Sequence, residues 1–508
     1  MKLSSALLAV SAYSSPTQLN ADKATEVDTK DAGWISCYYT NWSQYRPDYG
    51  TYFPEDMDAS LCTHLIYAFA EMHNTGSEWT IKEYEWNDEA MYARFMANKK
   101  GAKTLLAVGG WNHGSTRFTQ MLDSGESGIR KWAQNSIAFC KRHGFDGFDV
   151  DWEYPAMTTV DVSPQEDYYR YQRMIEILRE EVDKHPGFLL TVAVGIPEKM
   201  IYRIDGKNPA YDVVHLTQHV DMVNLMAYDV HGHWEDKTGH QMPAHIKRAD
   251  DRLGYTDSVE WILENWIVQG ANPQKLSLGL ASYGRGFTLE SSANHGYMAP
   301  AKLDTNTGLY SGAPGKYTRE PGFLSYYEIC EKINEGWKTV WDEEISATYA
   351  HGGDQWIGFD NEESIRYKVK LAKHYRLGGI MWWTLDDDDF KGNYCGSRYP
   401  LLSAGYDEWF HGGAAPTGGP TTPNSSTTRS TTTTKQTTTS NGVTPDCGNS
   451  PDGYYNHPQY CDHYFQCSNG ILYDFTCPPG TYWEPNSRIC EHSLSVDCCD
   501  GQRPCNGF

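Results

Sequence analysis

The sequence predicts an α/β protein: a (β/α)8 TIM barrel with a small α+β insertion between its seventh and eighth strands, followed by a small disulfide-rich β module. Eight short segments rich in β-branched and aromatic residues alternate with longer, polar, helix-compatible stretches, as parallel βαβ units do. Polar and aromatic side chains gather at the ends of these segments, where such barrels build their sites. Eight of the 13 cysteines crowd into the last 62 residues, the density of a stapled domain in an oxidising compartment.

Along the chain, Met1-Lys2-Leu3 and the apolar run to about Ala12 form a secretory leader, assigned to residues 1–20 with cleavage near or after Ala12. The barrel domain is placed at 31–411. Its strands are expected at 34–39, 63–69, 103–109, 146–152, 188–195, 221–228, 277–283 and 379–385. The interval between the last two is far longer than one helix and two loops require, so residues 289–356, rich in Gly, Tyr and Thr, are assigned to an inserted lobe beside the mouth. Residues 412–445, nearly pure Thr, Ser, Pro and Gly, cannot form a core and read as a flexible O-glycosylated linker with an N-glycan acceptor at Asn424-Ser425-Ser426. Residues 446–508 make the last domain, too small to hold together without staples. Its cysteines lack the paired C-x-x-C halves of a zinc site, which favours disulfides over metal.

A formal charge of -23 and a pI near 5.2 exclude nucleic acid and anionic membrane as natural partners and suit a neutral or cationic ligand. No segment after the leader reaches the ~20 apolar residues of a membrane span. The expectation is a secreted monomer. Aromatic residues make up 13% of the chain, including 17 Trp and 35 Tyr, an excess that suggests rings used for stacking on a ligand.

The fourth strand segment carries the chemistry. It reads Asp146-Gly-Phe-Asp149-Val-Asp151-Trp-Glu153-Tyr-Pro155, with acids at alternate positions among apolar residues. Because strand side chains alternate, Asp149, Asp151 and Glu153 share one face, roughly 6 to 7 Å apart. Phe148, Val150 and Trp152 take the other, which argues against a solvated acidic edge. Like charges that close in a partly dry site cannot all ionise, so one carboxyl should keep its proton and serve as a general acid. Two other groups look functional and are set aside. His231, His233 and His240 lack the helical i, i+4 spacing of a zinc enzyme, and Asp386 to Asp389 are expected to cap a helix and face solvent.

Together with Cys37-Tyr-Tyr-Thr-Asn-Trp42, Leu61-Cys-Thr-His-Leu-Ile-Tyr-Ala-Phe69, Gly109-Gly-Trp111, Met226-Ala-Tyr-Asp229, Tyr283-Gly-Arg285 and Gly378-Gly-Ile-Met-Trp-Trp383, the D-x-x-D-x-D-x-E run at 146–153 resembles the family 18 glycoside hydrolases, secreted chitinases of animal type. The cysteine spacing of the last domain, with 13, 5, 9, 12 and 7 residues between Cys447, Cys461, Cys467, Cys477, Cys490 and Cys498, resembles a family 14 peritrophin-type chitin-binding module. The resemblance implies pairs Cys447–Cys467, Cys477–Cys490, and Cys461 with Cys498 or Cys499; the partner of Cys505 stays open. In the barrel it implies Cys37–Cys62 and Cys330–Cys395, with Cys140 a buried free thiol.

The resemblance also implies the reaction. Chitin and chito-oligosaccharides would be hydrolysed at β-1,4 links with retention, without metal or cofactor. The 2-acetamido group of the sugar would act as nucleophile and form an oxazolinium ion, because this family departs from the two-carboxylate scheme. Glu153 would be acid and then base, Asp151 would hold the acetamido N–H, Asp149 would share a proton with Asp151, and Tyr228 would position the acetamido oxygen. Trp383, Trp111 and Trp42 would floor the groove; Tyr38, Phe69, Gly110, Met226, Asp229, Tyr283 and Arg285 would line it. Asp146, out of phase with the acidic face, is either part of the site or a backbone anchor. The rival readings are a chitinase-like lectin, which lacks the acid at the Glu153 position, and an endoglycosidase of N-glycans.

Overall fold

A computed structural model of the chain describes residues 33–204, 206–247, 258–412 and 446, with five short strands between 453 and 492. The leader, the linker and the C-terminal disulfides lie outside the described residues. In order, the first half comprises β1 (Trp34–Thr40), β2 (His64–Asn74), β3 (Trp79–Glu83), α1 (Asp88–Asn98), β4 (Lys103–Gly109), α2 (Thr116–Leu122), α3 (Gly125–Arg142), β5 (Gly147–Asp151) and α4 (Asp167–Val182). Next come β6 (Leu189–Val194), α5 (Glu198–Ile201), α6 (Val213–His219), β7 (Met222–Leu225), α7 (Val259–Val268), β8 (Leu276–Ala281), β9 (Tyr283–Thr288), β10 (Phe323–Ser325) and α8 (Tyr326–Asn334). The catalytic-sized unit ends with β11 (Lys338–Asp342), β12 (Ala347–Gly352), β13 (Gln355–Phe359), α9 (Glu362–His374), β14 (Gly379–Trp383) and α10 (Pro400–Phe410).

Eight parallel strands run β1-β14-β8-β7-β6-β5-β4-β2, and β1 pairing with β2 closes the barrel. Each predicted strand has its counterpart. The helices cover the outside because each carries an apolar stripe: in α3 the buried Ile129, Trp132, Ala133, Ser136, Ile137 and Cys140 follow the i, i+3, i+4, i+7 spacing of one helical face. Truncating Ile137 there would cost about 2–5 kcal/mol. The outward face of β5 meets this layer, with Phe148 against Trp132 at 5.8 Å and, just beyond the strand, Trp152 stacked on Phe118 of α2 at 4.8 Å. The inward face is polar: Asp149, Thr191 and Asn224 are fully buried on three successive strands.

The seventh segment divides. Its barrel part stops at Ala281, and after Ser282 the chain enters a five-stranded antiparallel sheet, β10-β9-β13-β12-β11. That sheet therefore runs from Tyr283 to Phe359, wider than the 289–356 interval, because β9 continues from β8 almost without a turn. Cys37–Cys62 and Cys330–Cys395 are bonded, and Cys140 is a buried free thiol. The C-terminal unit contains a three-stranded antiparallel sheet, β15 (Gly453–Asn456), β16 (His463–Ser468) and β17 (Ile471–Thr476), and a hairpin-like pair, β18 (Thr481–Glu484) and β19 (Ile489–His492). Among the described residues no helix is long and apolar enough to cross a membrane.

Candidate active site

β5 and the turn after it bring the acids to the C-terminal mouth of the barrel. Two glycines make room. Gly109 adopts φ +116°, and a Cβ there would lie 1.9 Å from the Asp151 carbonyl; Gly110, at φ +83°, donates its N–H to that carbonyl at 2.8 Å. A side chain on Gly110 would strike the Phe69 ring at 2.6 Å.

Asp149 is completely buried, and its two oxygens accept from the Tyr38 hydroxyl at 2.8 Å and the Thr191 hydroxyl at 2.5 Å. Burial raises its pKa to about 6, against the pull of those two bonds. Asp151 differs: its Oδ1 is buried with no hydrogen-bond partner. Burial, with the charges of Glu153 and Asp149 added, pushes its pKa well above the carboxylate range. Asp149 takes its hydrogen bonds from Tyr38 and Thr191, one on each oxygen, and each oxygen keeps a further lone pair.

Glu153 stands at the rim, 9% exposed. Burial raises its pKa to about 7; a hydrogen bond from Tyr154 and one from the Trp111 backbone oppose this, while the Asp229 charge adds to it. Near neutral pH it is therefore divided between acid and base forms. The Tyr228 phenol is raised well above its usual value by burial and by the Asp151 charge, so it stays a hydrogen-bond donor.

Aromatic rings surround these groups. Trp383 lies 5.2 Å from Tyr38, 6.1 Å from Phe69 and 6.2 Å from Trp42, and Trp42 stacks on Phe69. Trp111, just after β4, is 53% exposed. Opposite, Arg285 chelates Asp229 with bonds of 2.7 and 2.8 Å, and Tyr283 donates to the same carboxylate at 2.8 Å. Asp229 holds this position at φ +59°. Met226, 9% exposed, follows β7 directly.

Several residues at this mouth have no signal in the sequence. Phe323 stacks on Tyr283 at 4.6 Å, and Trp234 lies 5.8 Å from the Arg285 guanidinium, so the insertion sheet and a loop help to frame the site. Trp86 is 86% exposed in a turn whose neighbour Glu85 accepts from the Tyr45 hydroxyl. Thr191 could have been found from register alone, since it pairs with Asp149 across β5 and β6.

Asp146 sits at the opposite end of β5, held by the Thr104 amide and hydroxyl and by Lys99 and Lys103, and is an anchor. Asp386 to Asp389 are buried, which overturns the solvent-facing expectation. Arg46 binds Asp386 at 2.8 Å and Asp387 at 2.9 Å, and backbone amides of Leu402, Gly392, Tyr394 and Cys395 bind Asp388 and Asp389. His231 pairs with Glu235, and His240 bonds the Phe359 carbonyl.

Comparison with known proteins gives this mouth its context. Residues 35–388 match the model of glycosyl hydrolases family 18, and residues 447–499 match the chitin binding Peritrophin-A domain. The chain belongs to glycosyl hydrolase family 18. It is 35% identical over 476 residues to mouse chitotriosidase-1, covering 91% of this chain and 96% of that one. Catalytic domain 2 of a Group II chitinase from Ostrinia furnacalis is 36% identical with a TM-score of 0.68, over 76% of this chain and 98% of that one. Human YKL-39, described as a pseudo-chitinase that retains chitooligosaccharide binding, is 33% identical with a TM-score of 0.66, over 74% and 99%. The protein is a glycoside hydrolase of the chitinase kind.

Proposed function

We propose that the protein is a secreted, endo-acting chitinase that cleaves β-1,4 links between N-acetylglucosamine units with retention, using the substrate's acetamido group as nucleophile. The observation that carries this reading is Glu153, a rim carboxyl whose pKa near 7 lets it give a proton to the glycosidic oxygen and then take one from water. Behind it, protonated Asp151 with its unpartnered Oδ1 would receive the acetamido group and, by passing its proton to Asp149, become the carboxylate that stabilises the positive oxazolinium ring. Asp149, fixed by Tyr38 and Thr191, supplies the negative field that keeps Asp151 protonated until then. Tyr228 would donate to the acetamido oxygen and hold it near attack geometry. Trp383, with Trp42 and Trp111 to either side, would stack on pyranose faces.

The retained acid at Glu153 favours turnover over the lectin reading, and the C-terminal match favours chitin over N-glycans. Residues 447–499 would hold the enzyme near insoluble polymer and raise the local substrate concentration. The decisive experiment follows the anomer and size of products from N-acetylated oligomers and from oligomers lacking the N-acetyl group at the cleaved sugar. Retention with the first and no cleavage of the second is expected. Efficient hydrolysis of the second would refute the substrate-assisted mechanism.

A further inference from the structure

Among the described residues, one group outside the mouth brings metal-ligating side chains together: Glu176 of α4 with His215 and His219 of α6. One ligand atom from each lies within 4.8 Å of the other two. We propose that these three residues form a site for a divalent transition ion of the zinc type on the outer helical layer, clamping α4 to α6.

The two histidines stand one turn apart on the same helix face, and their rings stack with centroids 4.2 Å apart. His219 uses Nδ1 to donate to the His215 carbonyl at 2.7 Å. A carbonyl can only accept, so this bond fixes the tautomer and leaves Nε2 with its lone pair, the outer-shell arrangement by which proteins orient a metal-binding imidazole. His215 Nε2 meets Glu176 Oε1 at 2.8 Å, the proton between them occupying the place an ion would take. His215 Nδ1 is buried without a hydrogen-bond partner and would carry the ring proton once a metal replaced it on Nε2.

Distances permit the exchange. Bonds of about 2.0–2.1 Å in a tetrahedral zinc site place ligand atoms about 3.3 Å apart. The 2.8 Å pair would open by about half an ångström, and the widest pair would close by no more than about 1.5 Å, within reach of three half-buried side chains. Arg173 is the competing cation, at 2.7 Å from Glu176 Oε2. Its charge is already shared with Glu126 at 2.8 Å and Glu180 at 3.4 Å, and it leaves Oε1 to the histidines. Two imidazoles, one carboxylate and an open fourth position suit zinc better than magnesium or calcium, which prefer oxygen alone.

α4 follows the acidic strand and α6 precedes β7, so a bound ion would brace the sector that carries Glu153 and Tyr228 without touching substrate. The test titrates the full-length, chelator-treated protein with Zn2+ by calorimetry, and with Co2+ by visible absorption. The expected result is one tight site, tetrahedral ligand-field bands for Co2+, and a rise in Tm with added Zn2+. In His219→Ala and in Glu176→Gln the site should weaken by at least the roughly 10–100-fold that loss of an outer-shell partner costs, while activity of the metal-free enzyme stays unchanged. Absence of a tight site in the wild type, or equal affinity in all three proteins, would overturn the proposal. Should His219→Ala fail to fold, Glu176→Gln, which keeps the hydrogen bond to His215, decides alone.

Discussion

Two buried acidic clusters stand on the same barrel, and only one is built for chemistry. At the end of β14, Asp386 and Asp387 share Arg46, Asp387 also accepts from the hydroxyls of Ser325 and Thr384, and Asp388 and Asp389 are wrapped in backbone amides. On β5 and the turn after it, Asp151 has an oxygen with no hydrogen-bond partner, and among the described residues no cation pairs with Asp149, Asp151 or Glu153. Burial raises pKa values in both, to about 6 at Asp386 and about 7 at Asp388 as well as at Glu153. A raised pKa therefore does not distinguish the clusters. The absence of a cation at an open mouth does: Asp386 Oδ2 also lacks a hydrogen bond but lies 2.8 Å from Arg46, whereas Asp151 Oδ1 is left for a substrate to complete.

The contrast can be broken at either cluster. Asp151→Asn should lower kcat by about 10²–10³-fold, since it removes the charge that forms against the positive ring, while changing stability little. Arg46→Met should do the reverse: it leaves two buried aspartates without their cation and should cost about 3–5 kcal/mol in a denaturant titration, with kcat of the folded fraction within a few-fold of wild type. If Arg46→Met lost turnover without losing stability, the β14 cluster would belong to the site.

Two smaller effects sharpen the difference. Glu153 is raised from 4.5 to about 7 on folding, so its ionisation opposes the fold: the stability it withholds is absent below about pH 4.5 and grows to a plateau above pH 7. Glu153→Gln should therefore raise stability at pH 8 by about 3 kcal/mol and leave it nearly unchanged at pH 4. An equal gain at both values would assign the effect to packing. Asp229 helps to hold Glu153 protonated, and its neutralisation by Asp229→Asn should shift the alkaline limb of kcat/KM to lower pH by about half a unit to one unit. A shift upward would mean that the field at Glu153 is set elsewhere.

Much of this was legible in the sequence because periodicity is a strong signal. The alternation of acids and apolar residues at 146–153 located both faces of β5, and the eight strand segments gave the barrel. What was not legible arose from long-range pairing. Arg46 reaches the Asp386–Asp387 pair across 340 positions of sequence, so four adjacent aspartates looked like a solvated cap. The framing of Arg285 by Trp234 and Phe323 was hidden for the same reason. The Glu176–His215–His219 group also escaped, because its i, i+4 histidines lie far from the glycine-containing loop that drew notice.

Glu153 as the proton donor is tested most directly by comparing turnover and binding of N-acetyl chito-oligomers in Glu153→Gln and wild type. Turnover should fall by about 10²–10⁴-fold with oligomer affinity within a few-fold of wild type. Turnover within tenfold of wild type would contradict it.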